Sequence, residues 1–112
     1  TANRAHAPAL TSPTRSRASL VAREDRYEDP VDVYRVWIPA GRTLTVSLRS
    51  SGDNHLALSS GGTTPRRLAT AKTPGTREEL SYKAAKTGLT AYLKVTLGAS
   101  ATTTYSLTAR VG

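Results

Sequence analysis

Cysteine, methionine and phenylalanine are absent from this chain, and tryptophan occurs once. Without cysteine there is neither a disulfide staple nor a thiolate metal site. The 112 residues are long enough for one domain around one core. With 38% apolar residues and no Phe or Met, that core must be built from Leu, Val, Ala, Tyr and one each of Ile and Trp. A chain without Met reads as a fragment of a longer polypeptide or as a mature form. No apolar run approaches the roughly 20 residues that span a bilayer, and no signal peptide is visible. If the protein is exported, the export signal lay upstream. The lack of thiols fits a bacterial secreted protein, so the expected location is extracellular.

Acidic residues are also scarce, 8 against 16 basic ones, for a net charge of +8. A basic balance attracts polyanions, but here the arginines are dispersed. Residues 1–23 hold four Arg and no acid, only Arg66 and Arg67 are adjacent, and no basic run of five to eight residues occurs. No recognition helix or aromatic RNA-binding signature accompanies the charge, so nucleic acid is not the expected partner. Polyanion binding remains a secondary alternative.

Catalytic signatures are missing as well. There is no Gly-x-Ser-x-Gly, no His-Glu-x-x-His, and no glycine-rich phosphate loop opening a helix. His6 and His55 are the two imidazoles; His6 lies in a stretch expected to be solvated. Asp53, His55 and Ser59 or Ser60 can be written as a triad, but a triad requires geometry that spacing does not supply. The chain is expected not to be an enzyme.

What the chain does contain is alternation. Residues 1–16, rich in Ala, Pro, Ser, Thr and Arg, lack an apolar period and read as a linker or disordered arm. Residues 17–112 read as one β domain. Val31–Ile38 forms a strong strand ended by Pro39, Gly41 allows the turn, and Leu44, Val46 and Leu48 alternate with Thr43, Thr45 and Ser47. Weaker or shorter strands are predicted at 17–23, around Leu56 and Leu58, at 68–72 and at 79–84. Stronger ones follow at 90–97 and 104–111. Seventeen threonines suit strands and weaken helices, and no window has a 3.6 period. The expected architecture is a two-layer, jelly-roll-like antiparallel β-sandwich of seven or eight strands.

Two residue groups stand out as sites. Glu24, Asp25, Glu28, Asp29 and Asp32 fall within nine residues, and Asp53 could approach from a neighbouring loop. Such a set could gather a hard cation such as calcium, or form a solvated acidic loop paired to nearby arginines. Trp37 alternates out of phase with Tyr34, Val36 and Ile38, and Tyr92 out of phase with Leu93 and Val95. With Arg35 they form a candidate ligand-binding patch of the kind enriched at hot spots. The alternative is that a neighbouring loop or domain covers Trp37. Tyr105, in phase with Leu107, is expected in the core.

The ordered set Asp29-Pro-Val-Asp-Val-Tyr-Arg-Val, Ala40-Gly41, Leu44-Thr-Val-Ser-Leu48, Asp53-Asn-His-Leu-Ala-Leu58, Leu68-Ala-Thr-Ala71, Glu79-Leu-Ser-Tyr82, Ala91-Tyr-Leu-Lys-Val95 and Tyr105-Ser-Leu107 resembles the bacterial pre-peptidase C-terminal domain. That small β-sandwich is attached to secreted peptidases and other exported hydrolases, and clostridial collagen-binding domains are related to it. The resemblance covers residues 17–111. It implies a non-catalytic accessory role: attachment to a polymeric substrate such as collagen or polysaccharide, or help with secretion and maturation of the attached catalytic domain. A stand-alone collagen- or carbohydrate-binding module is the alternative. Related collagen-binding domains hold calcium with acidic residues before the same strand. Here His55 replaces an Asp often found in the family, which weakens that carry-over, and Ala91 replaces an aromatic, which thins the core.

Overall fold

The computed structural model describes Arg4 and residues 7–112; His6 lies outside the described residues. Eight strands follow one another: β1 (Arg17–Asp25), β2 (Val31–Ile38), β3 (Thr43–Ser50), β4 (Asn54–Ser60), β5 (Arg67–Ala71), β6 (Arg77–Lys83), β7 (Leu89–Leu97) and β8 (Thr102–Val111). They form two four-stranded sheets of order β1-β8-β3-β6 and β2-β7-β4-β5, with every strand pair antiparallel. Sequence neighbours β1 and β2 lie in different sheets, so each sheet is closed by strands remote in the chain, the jelly-roll wiring.

Alternation decides which side chains face the middle. Leu44, Val46 and Leu48 of β3, with Tyr105, Leu107 and Ala109 of β8, meet Val36 and Ile38 of β2, Leu56 and Leu58 of β4, and Ala91, Leu93 and Val95 of β7. Successive residues point to opposite faces of a strand, which is why Thr45, Ser47 and Lys94 are left outside. Ala91 is fully buried in this cluster. After Pro39 the chain turns through Gly41, whose φ of 71° suits glycine, and the Gly41 N–H reaches the Ala85 carbonyl.

The stretch expected to be a linker departs from that expectation from Ala7 onward. The Arg35 N–H donates to the Pro8 carbonyl, and the Leu10 N–H donates back to Arg35, a short parallel bridge on the edge of β2. Thr11 continues it with one side chain, because Oγ1 accepts from the Trp37 N–H at 2.8 Å and donates to the Trp37 carbonyl at 2.9 Å. Leu10, only 4% exposed, joins the core. The physical reason is the free edge: unpaired β2 backbone groups need partners, and short polar residues can supply them without any apolar period.

Candidate functional site

The outer face of the β2-β7-β4-β5 sheet carries the patch expected from sequence. β2 and β7 pair with Arg35 directly opposite Tyr92 and Trp37 opposite Thr90. Trp37, Arg35 and Tyr92 therefore share one face, with Arg35 exposed and both rings half-buried. The Trp37 ring folds over Gly88: a Cβ built there would lie 2.5 Å from its Cζ2 and Cη2 atoms. Hollows flank Trp37 on both sides of the 11–13 segment, one of about 270 Å³ floored by Ala9, Thr11, Arg35 and Thr90. The other, of about 190 Å³, is bounded by Pro13, Arg15, Pro39 and Val111.

Tyr92 offers a second aromatic platform on this face. Its ring leans on Gly61, while the Arg4 guanidinium stacks 4.6 Å from its centroid and donates to the Gly62 carbonyl at 3.3 Å. A hollow of about 270 Å³ surrounds it, lined by Val33, Ser59, Pro65 and Lys94 as well as Arg4 and Tyr92. A flat aromatic face beside an apolar floor can take a planar or pyranose-like group by stacking, in the place that the Arg4 guanidinium fills here. Sequence reasoning missed Arg4, because an arginine in an aperiodic polar stretch gives no sign that it folds back onto a residue 88 positions later.

The fold gives the six acids different surroundings, although Glu24, Asp29 and Asp32 stay near enough for their charges to interact. Glu24 faces inward from β1 and is fully buried. Its Oε1 accepts from Asn54 Nδ2 at 2.7 Å, and Asn54 Oδ1 in turn accepts from the Ser50 hydroxyl at 2.6 Å. Among the described residues, Glu24 Oε2 and the hydroxyl of its cross-strand partner Thr103 have no partner at good hydrogen-bond geometry. Burial, reinforced by the charges of Asp32 and Asp29, pushes the Glu24 carboxyl up to about 8, so it is largely protonated at neutral pH. Asp32 faces inward from β2 and accepts from the Tyr105 hydroxyl at 2.5 Å; since that hydroxyl donates to Asp32, it accepts from Tyr34 in the 2.5 Å contact between the two phenols. Burial raises both phenols, Tyr34 to about 12. Tyr105 is buried as expected.

The remaining acids have other surroundings. Asp25 Oδ1 accepts from the N–H groups of Tyr27 and Glu28 and so caps the β1–β2 turn. Asp29 exchanges backbone hydrogen bonds with Asp25, and Glu28 is exposed. Asp53 Oδ2 accepts from the Ala99 N–H at 3.1 Å and lies 3.6 Å from His55 Nε2. Arg26 pairs with the Gly98 and Ser100 carbonyls instead of with an acid. Among the described residues no three His, Asp or Glu side chains converge on a position that could hold a metal ion. Calcium needs six to eight oxygens, and the six carboxylates picked out in the sequence do not fit it as a set.

Nor does the triad written from sequence assemble. Ser59 lies four residues along β4 from His55, about 13 Å away at strand spacing, and Ser60 Oγ is on the opposite face, accepting from the Arg66 N–H. No helix among the described residues is long and apolar enough to cross a membrane.

No protein-family profile matches the chain, and no curated protein does. Solved structures do. The pre-peptidase C-terminal domain of a collagenase from Bacillus anthracis is similar over 94% of this chain and 95% of its own, with TM-score 0.74 and 16% identity. PliG from Aeromonas hydrophila, a periplasmic inhibitor of g-type lysozyme, covers 94% of this chain and 96% of its own at TM-score 0.65 and 14% identity. The Yersinia pseudotuberculosis-derived mitogen covers 86% of each chain at TM-score 0.61 and 20% identity. At such identities the likeness is one of fold, and that fold is the one the sequence resemblance to the pre-peptidase C-terminal domain implied.

Proposed function

We propose that this chain is a non-catalytic accessory domain of an exported bacterial hydrolase, a peptidase, which attaches the parent enzyme to a polymeric substrate. The attachment surface is the outer face of the β2-β7-β4-β5 sheet. The observation that carries this reading is the Tyr92 platform: an aromatic face opposite exposed Arg35, beside a hollow that already accommodates a guanidinium. The fold shared with a collagenase domain supports the accessory context. Tethering would raise the enzyme's effective concentration at the polymer surface without any chemistry in the domain itself.

The test is retention of the purified domain on insoluble collagen, chitin and cellulose. One of these polymers retains the wild type, and Tyr92→Ala lowers affinity by about tenfold or more, as loss of an aromatic anchor does. Arg4→Ala removes the internal occupant of the platform. A cation–π contact of about 0.5–1 kcal/mol then translates into roughly two- to fivefold tighter binding. Absence of retention on all three polymers, or equal retention of Tyr92→Ala and wild type, overturns the reading.

A further inference from the structure

The arginines that look dispersed along the chain are gathered by strand pairing. Side chains alternate between the two faces in β1, β8, β3 and β6, and Arg17, Arg23, Arg110, Arg49, Arg77 and Lys83 all stand exposed on the outer face of that sheet. Asp25, Glu79 and Val21 share the face, and Ser or Thr holds its other outward strand positions. Asp25 is turned into the β1–β2 turn, where Oδ1 accepts from the Tyr27 and Glu28 N–H groups. None of the outward strand positions is aromatic.

Two of the cross-strand pairs on this face set arginine against arginine. Arg17 lies directly opposite Arg110 of β8, and Arg49 directly opposite Arg77 of β6. The Val111 N–H donates to Ser16 and the Ser50 N–H to Thr76, so the hydrogen-bonded positions fall one residue away from each arginine pair. Both are therefore non-hydrogen-bonded pairs, with Cα atoms about 4.5 Å apart and side chains at their closest. Like charges directly opposite are destabilising. Among the described residues none of the four guanidinium groups makes a hydrogen bond or an ion pair that offsets this, and Glu79, the next outward residue after Arg77, pairs with neither Arg49 nor Arg77. A hollow of about 310 Å³ is lined by Arg49, Arg77 and Ser47, and another of about 260 Å³ by Arg110, Thr43 and Thr45.

We propose that this face binds an acidic polysaccharide, each arginine pair holding one of its carboxylate or sulfate groups. A guanidinium presents a planar fork of donors that matches such oxyanions, and an anion between two of them turns their repulsion into attraction. Thr45, Ser47, Ser106 and Thr108 lie between the pairs and offer hydroxyls to sugar hydroxyls. Arg49 is opposite Ser106, four residues along β8 from Arg110. The two pairs are thus about 14 Å apart along the strands and about 10 Å across them, roughly 17 Å in all. One small anion cannot reach both; a polymer with repeated charges can. The class of polyanion follows from what the face lacks. Single-stranded nucleic acid is held on aromatic platforms, and a major groove admits a helix or a two-stranded ribbon rather than the face of a four-stranded sheet. A lipid surface is bound through inserted apolar side chains as well as charge, and Val21 is the one apolar residue at these outward positions. The inference is independent of the Tyr92 platform, which belongs to the other sheet.

The test is calorimetric titration of the chain with heparin and with polygalacturonate at physiological salt. Wild type binds heparin, or polygalacturonate where carboxylates alone are read. In either case a decasaccharide binds at least about tenfold tighter than a disaccharide, because only the longer chain engages both pairs at once. Arg110→Ser and Arg77→Ser each weaken binding about fivefold, the share of one arginine at an anionic surface. Each also lowers the slope of log K against log salt by about one. Both variants keep or raise the melting temperature, since each removes a like-charge apposition. Arg66→Ser removes the same charge from an exposed position between β4 and β5 of the other sheet, and changes affinity by less than about twofold. The proposal is overturned if neither polymer binds, if the disaccharide matches the decasaccharide, or if Arg66→Ser loses as much affinity as Arg110→Ser. A fall in the melting temperature of Arg110→Ser and Arg77→Ser also overturns it, since the arginines then serve the fold. So does equal or tighter binding of duplex DNA or of phosphatidylserine vesicles, which assigns the face to that partner instead.

Discussion

Replacing Glu24 by Gln should remove most of the pH dependence of folding stability between pH 5 and pH 8. Glu24 is raised from 4.5 to about 8 first by burial and then by Asp32 and Asp29. The folded protein therefore keeps a proton that the unfolded chain releases above pH 4.5. Where the folded state binds more protons than the unfolded state, unfolding free energy falls as pH rises. The Glu24 contribution is fully present below pH 4.5, declines through the interval, and is lost once pH exceeds about 8. Each pKa unit is about 1.4 kcal/mol, so the loss across the interval is up to about 5 kcal/mol. That is a large part of the 5–15 kcal/mol typical of a domain. Glutamine keeps the carbonyl that accepts from Asn54 and has no proton to lose. Urea unfolding at half-unit pH steps, with m held constant, measures the difference. Wild type should lose stability steadily from pH 5 to pH 8 while Glu24→Gln stays nearly level, so that the variant is the more stable protein at pH 9. Tyr34, raised to about 12, ionises outside this window. The reasoning is refuted if wild-type stability is flat or rises over the interval, or if both proteins decline with the same slope.

Two further outcomes follow from the same geometry. Gly88→Ala places a methyl group 2.5 Å from the Trp37 ring, so the indole must move. A cost of about 1–3 kcal/mol is expected, together with a shift in the emission of the chain's single tryptophan; an unchanged spectrum would contradict the packing described for that ring. Calcium at millimolar concentration should leave the melting temperature unchanged, because the carboxylates of Asp25, Asp32 and Asp53 are committed to separate protein donors. A calcium-dependent rise in melting temperature would show that these acids regroup around the ion.

The face proposed for attachment was legible before the structure because strand period is a local property. Trp37 falls out of phase with Val36 and Ile38, and Tyr92 with Leu93, so their position on the outer face could be read residue by residue. The surroundings of the acidic group could not be read in the same way. Sequence spacing does not say that Glu24 faces inward near the end of one strand, that Asp25 points into a turn, or that Asp32 lies near the start of a strand of the other sheet, where its charge still reaches Glu24.

The sequence alone determined the strands, the corners at Pro39 and Gly41, the inward faces and the two-layer class, since alternation and turn chemistry act over a few residues. Tertiary structure alone decided the rest: that residues 8–11 seal the edge of β2, that Arg4 covers Tyr92, and that Glu24 meets Asn54 across the sandwich. These contacts depend on which distant strands pair and on where each sheet leaves backbone groups unsatisfied. Polar residues filling such places carry no period along the chain, so nothing in their local sequence announces them.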